Sequence, residues 1–163
     1  MYQIVKSVGG LSATLPSDRD IRLTRDFNAS RQLVWDAHTR PELLRKWLTG
    51  PRNWTMPVCD IDLRVGGKYR YEWHSDEGLA MGLSGTYREI EAPSRIADTQ
   101  VFDDDWTKGP ADTVLTLTEH DGKTTLVLVI TYASQEARDF ALSLPMMEGM
   151  EAGYVRLEDS ARA

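Results

Sequence analysis

One cysteine, Cys59, stands among 163 residues, so neither an internal disulfide nor a thiolate zinc cluster nor a CxxC redox pair can form within the chain. Cys59 itself reads as a small buried hydrophobe on a strand. No apolar run approaches the roughly 20 residues that span a bilayer, so no membrane-embedded segment is expected. Basic residues are in the minority, 19 Lys and Arg against 25 Asp and Glu, a formal net charge of −6. A duplex-binding surface needs a basic stripe to displace counterions, and nucleic acid is therefore not an expected partner. The opening residues, MYQIVKSVGG, lack the basic start and continuous apolar core of a secretory signal, which makes the cytoplasm the expected location. His38, His74 and His120 are the only histidines and fall on a helix end, a strand end and a hairpin turn, without metal-ligand spacing. No G-x-S-x-G elbow and no Walker glycine loop occurs. Neither metal nor cofactor is expected.

What is present is a strongly patterned middle. Lys68 to His74 alternates charged or polar residues with Tyr69, Tyr71 and Trp73, the period of two that a half-buried strand requires. One face is aromatic and the other is wet, as in a sheet covered on one side only. Around it the chain reads as one domain of ordinary globular length. Residues 1–20 have no sustained periodicity and read as an arm that can add an edge segment, with the domain proper over 21–163. Ile21 to Phe27 alternates, placing Ile21, Leu23, Arg25 and Phe27 on one face. An inward Arg25 demands a carboxylate partner or an anionic ligand, because an unpaired buried charge is very costly.

Ser30 caps a short helix bearing Leu33, Val34, Trp35 and Ala37. Thr39 and Glu42 have capping-box spacing around Pro41, which predicts a second helix running to Leu48 and stopped by Gly50-Pro51. Six further strands follow: 55–63, 68–74, 79–90, 95–102, 113–119 and 124–132. Gly66-Gly67 turns the first pair, Gly82 and Gly85 mark a bulge or close backbone approach, and Asp121-Gly122 marks a hairpin. Ser134 caps a helical stretch broken at Pro145, and Met146, Met147, Met150, Tyr154 and Leu157 form the stripe of a final helix. Gly149 and Gly153 lie beside that stripe, each costing about 1 kcal/mol relative to alanine in a helix. Tight packing or space for a guest molecule would explain them. The order predicts an α+β layer architecture in which the final helix lies across the covered face of an antiparallel sheet.

Several spaced strings, among them Leu15-Pro16-Ser17-Asp18-Arg19-Asp20-Ile21, Thr24-Arg25-Asp26-Phe27, Pro41-Glu42-Leu43, Cys59 to Arg70, Gly85-Thr86-Tyr87-Arg88-Glu89-Ile90, Pro93-Ser94-Arg95-Ile96 and Met147-Glu148-Gly149-Met150, occur in an order that resembles the heat-shock-protein-90 ATPase activator-like branch of the START-like (SRPBCC) superfamily. The resemblance covers nearly the whole chain from about Leu15. It implies a helix-grip fold, in which a curved antiparallel sheet wraps the C-terminal helix around a deep, mostly apolar cavity. For function it implies a choice, since fold alone does not fix it. A binding protein for a small apolar or amphipathic molecule comes first, a polyketide cyclase-like enzyme using the same cavity second, and a chaperone ATPase-associated interaction domain third. Relatives often carry a Gly-Trp pair in the final helix and a double tryptophan after the second; this chain has Gly149-Met150 and Trp47-Leu48.

The candidate cavity lining is Tyr69, Tyr71, Trp73, Met81, Tyr87, Trp106, Met147, Met150 and Tyr154, with Met146 beside them, and Arg25 and His74 are the candidate polar groups. Large apolar side chains with a few polar ones are what a small-molecule pocket presents, although a packed core uses the same residue types. Asp103, Asp104 and Asp105 lack calcium-loop spacing and read as a solvated acidic loop. Trp106 beside them reads as a lid or a loop anchor.

Overall fold

The structure, a computed structural model, describes residues 2–161; Met1, Arg162 and Ala163 of the expected boundaries lie outside the described residues. Among the described residues nine antiparallel strands form one curved open sheet in the order β1-β2-β3-β9-β8-β7-β6-β5-β4. The strands are β1 (Ile4–Val8), β2 (Leu11–Thr14), β3 (Asp20–Phe27), β4 (Trp54–Ile61), β5 (Lys68–Ser75), β6 (Ala80–Glu91), β7 (Arg95–Phe102), β8 (Ala111–His120) and β9 (Lys123–Thr131). The helices are α1 (Arg31–Thr39), α2 (Pro41–Leu44), α3 (Gln135–Ser143) and α4 (Met146–Ala161). This is the helix-grip α+β arrangement. After β3, α1 and α2 carry the chain to the far edge, and a meander from β4 to β9 brings it back beside β3. Among the described residues no helix is long and apolar enough to cross a membrane.

The N-terminal arm is itself part of the sheet. Residues 4–14 form the β1–β2 hairpin, and Leu11 and Ala13 are fully buried. Period two holds there only over four residues of β2, too short a run to stand out in the sequence.

Local chemistry explains most element ends. Ser30 Oγ accepts from the Leu33 amide at 3.3 Å and Ser134 Oγ from the Ala137 amide at 3.1 Å, each satisfying an amide that the first helical turn leaves free. The β8–β9 turn places Asp121 and Gly122 at φ of 53° and 78°, the left-handed pair that a two-residue hairpin requires. The expected capping box is absent. Thr39 still belongs to α1 and donates to the Trp35 carbonyl at 2.9 Å, Arg40 takes the cap position without a side-chain bond, and Glu42 pairs with Arg40. With Pro41 at its start and no cap, α2 completes one turn, and residues 45–48 continue as single turns rather than the predicted helix.

Two bulges bend the sheet where it matters for the cavity. One spans Thr55 to Val58, where Pro57 has no amide to give the ladder. The other lies between Tyr87 and Glu89, and the extra residue, Arg88, is left exposed. Bulges add local twist and re-aim their neighbours, and this one sits beside Tyr87 on the concave face.

Candidate functional site

Strand pairing lays the concave face out as cross-strand rows. Tyr87, Asp98 and Thr113 stand side by side on β6, β7 and β8. The next row is Tyr69, Gly85, Gln100 and Ala111, the one after it Tyr71, Leu83 and Phe102, and Trp73 faces Met81 beyond that. On the other side of the Asp98 row stand Ile96, Leu115 and Leu128. Gly85 interrupts its row for a reason: a methyl group there would collide with the Tyr69 ring, which lies over the β6 backbone. We expect Gly85→Ala to displace that ring and to cost about 1–2 kcal/mol of unfolding free energy in denaturant titration. A neutral outcome would mean that the ring has another seat.

Helix α4 is the roof. Met146, Gly149, Met150, Gly153 and Tyr154 face the sheet at helical spacing, while α1, α2 and the following loop contribute His38, Leu44, Trp47, Leu48, Gly50 and Pro51. Between roof and floor lies a cavity of about 600 Å³. Pro51, Met81, Pro145 and Gly149 are exposed lining residues and ring its mouth, with Trp106 packed on Phe102 at 4.9 Å beside them. The two α4 glycines divide the explanations open to them. An added Cβ at Gly149 would meet nothing within 4 Å, whereas one at Gly153 would come within 3.2 Å of the Trp47 carbonyl, so Gly149 leaves space and Gly153 permits close packing. The loop over the cavity is tied down by three donors. Trp73 Nε1 bonds the Leu48 carbonyl at 2.6 Å, Trp47 Nε1 the Ala37 carbonyl at 2.8 Å, and the Arg156 guanidinium the Trp47 and Gly50 carbonyls at 3.1–3.2 Å.

Of the expected lining set, Tyr69, Tyr71, Trp73, Met81, Tyr87, Trp106, Met150 and Tyr154 are in the cavity wall, as is Met146. Met147 is buried but outside the wall, because it lies on a different face of α4. Neither expected polar group lines the cavity. His74 follows Trp73 on β5 and so points to the wet side, where it is exposed. Arg25 points inward as its parity requires, but it is consumed by Glu151 of α4: Nε meets Oε1 at 2.7 Å and Nη2 meets Oε2 at 3.1 Å. Arg70 pairs with Glu72 and Asp103, and Arg64 with Asp62, each apart from the Arg25–Glu151 pair.

The polar groups of the cavity are others. Asp98 Oδ1 accepts from Thr113 Oγ1 at 2.7 Å, and the Tyr69 hydroxyl, with one proton to give, is shared between the same carboxyl and Gln100 Oε1 at 3.4 Å. Burial pushes Asp98 up to about 6, against the opposing pull of those hydroxyls and of Arg88. Burial likewise raises the Tyr69, Tyr71 and Tyr87 phenols well above their ordinary range. His38 Nδ1 lies 2.8 Å from the Val34 carbonyl, which can only accept, so that nitrogen carries the proton and Nε2 is the bare acceptor. Nε2 is buried without a partner, and burial pulls the ring down to about 4 despite the Val34 bond, so it is neutral near pH 7. The strand alternation Ile96, Asp98, Gln100, Phe102 was the available signal for the Asp98 row: an apolar face with two polar residues at its centre. Among the described residues no group of three or more His, Cys, Asp or Glu side chains is placed to hold a metal ion.

Comparison with known proteins places this geometry in context. The family model described as activator of Hsp90 ATPase homolog 1-like protein matches residues 28–161. The crystal structure of a protein from Rhodobacter sphaeroides is similar at 30% identity and TM-score 0.87, covering 93% of this chain and 98% of that one. A second crystal structure, of a protein from Mycobacterium smegmatis, is similar at 26% identity and TM-score 0.74, with coverage of 88% and 90%. The solution structure of an AHSA1-like protein from Aeromonas hydrophila, 19% identical with TM-score 0.68 and coverage of 86% and 94%, shares the fold. No curated protein matches the sequence.

Proposed function

The chain belongs to the activator of Hsp90 ATPase homolog 1-like family, and from the cavity its own side chains leave open we propose that it binds a small apolar or amphipathic molecule between the curved sheet and α4. The observation that carries this reading is unfilled volume. Protein interiors pack as densely as organic crystals, and about 600 Å³ left between aromatic rows and α4 is within the range of small-molecule sites. The glycine at position 149, exposed at the mouth, leaves open space there. Chaperone association, which the family description names, needs no such cavity and would leave it unexplained.

Pyrene, neutral and apolar, is a suitable first probe because its emission reports transfer out of water. We expect saturable uptake by the natural protein and at least about a tenfold weaker affinity for Met150→Arg, which sets a guanidinium into the apolar wall. Circular dichroism checks that the variant is folded. A folded Met150→Arg protein that takes up pyrene as well as its parent would dismiss the cavity as the binding site.

A further inference from the structure

The cavity floor is chemically lopsided. Among the described residues Asp98 is the one carboxylate of its lining, with a short hydrogen bond from Thr113 and a looser neighbour in Tyr69. The basic residue that acts on it, Arg88, is exposed, donates to the Asp98 backbone carbonyl at 3.3 Å and approaches Asp112 at 3.9 Å, so its guanidinium does not close on the carboxylate. Arg156, the one guanidinium in the cavity lining among the described residues, is turned to backbone carbonyls. Among the described residues no guanidinium or ammonium closes on the Asp98 carboxylate, which lines the cavity.

Around it stand three tyrosine rings. Tyr87 is its direct cross-strand neighbour, Tyr69 lies 5.3 Å from Tyr87, and Tyr71 lies 4.8 Å from Tyr69, ring centre to ring centre. Aromatic faces attract cations through the ring quadrupole, and a carboxylate beside them supplies the full charge and hydrogen-bond acceptor that an ammonium group needs. Asp104 and Asp105 are exposed on the loop between Phe102 and Trp106, two residues of the cavity wall, and add negative charge on that side of the cavity.

The geometry points to an organic ammonium as the ligand of this cavity: an apolar body under α4 with a primary, secondary or tertiary amine, in its charged form, on Asp98 and the Tyr69–Tyr71–Tyr87 wall. This rests on the binding reading above and narrows it to one chemical class. It also accounts for an ionisable side chain in the cavity wall where an apolar one would pack at no electrostatic cost. Carboxylates are excluded by the same arrangement, since they would approach Asp98 with like charge.

The test is a matched series on one apolar body, naphthylmethylammonium, naphthylmethanol and naphthoate, measured at pH 7.5 by displacement of pyrene and by calorimetry. The natural protein is expected to bind the ammonium about tenfold to a hundredfold more tightly than the alcohol, and naphthoate most weakly, in line with hydrogen bonds to charged groups. In Asp98→Asn, which keeps an acceptor for Thr113, the preference for the ammonium should collapse to about threefold or less; Asp98→Leu is the second variant should the first fail to fold. Equal binding of alcohol and ammonium, a preference for naphthoate, or a preference that survives loss of the carboxylate would each overturn the assignment. If pyrene itself is not taken up, the cavity reading fails; if pyrene binds and the series shows no order, only the ammonium reading does.

Discussion

Glu151→Ala should lower the unfolding free energy by about 3–5 kcal/mol, the usual cost of removing one partner from a buried ion pair. Arg25 and Glu151 are 6% and 8% exposed, so the arginine left behind would be a charge without water. Its other carboxylate neighbour, Glu158, approaches only to 3.6 Å, and its cation–π contact with Phe27 at 4.6 Å does not replace a bidentate bond. The carboxylate also does a second task, accepting from the Gly10 amide at 3.2 Å, so that one side chain of α4 clasps both the β1–β2 turn and β3. A drop in Tm on the order of 10 °C is expected for a chain of this length. Replacing both partners, Arg25→Met with Glu151→Leu, should recover most of the loss, because the desolvation penalty disappears along with the attraction. A loss below about 1 kcal/mol in the single variant would show that water reaches the pair.

Asp98→Asn should act in the opposite direction and stabilise the protein by about 2–3 kcal/mol at pH 7.5. The carboxyl is held at about 6 by burial against an ordinary value of 3.8. Below pH 4 it is protonated folded or unfolded and makes no difference. Between pH 4 and 6 the unfolded chain releases the proton while the folded one keeps it, so its contribution to stability falls as pH rises, and the full penalty is present above pH 6. Thermal unfolding from pH 4 to 8 should therefore show the natural protein losing ground to the asparagine variant across that window and running parallel above it. Parallel curves throughout would mean that Asp98 titrates as an ordinary surface carboxyl. A wall residue whose ionised form costs stability fits the trade of stability for binding that functional sites commonly show.

Local pattern carried a large part of this. Period two in residues 68–74 suffices to put Tyr69, Tyr71 and Trp73 on the buried face, and the helical spacing of 146, 150 and 154 to put Met146, Met150 and Tyr154 on the roof. Cap chemistry located the starts of α1 and α3 through Ser30 and Ser134. It failed at α2, where Thr39 found a closer acceptor in its own helix. Met147 shows the limit of a stripe: it is buried and apolar like its neighbours, but a turn of about 100° per residue carries it off the cavity face.

The set of elements, their apolar faces and, through those faces, an α+β layer of sheet and final helix follow from the chain read locally. Each depends on residues within about two turns or one strand of one another, and such periodicities are written locally. Tertiary structure alone decided which polar groups meet. Arg25 and Glu151 are 126 positions apart, and Asp98 gains its surroundings from Tyr87 and Thr113 only because the register of β6, β7 and β8 aligns them on a bulged, curved floor. Register and curvature are sums over many strands, so no single stretch of chain encodes them, and the charge balance of the cavity becomes legible only once they are in place.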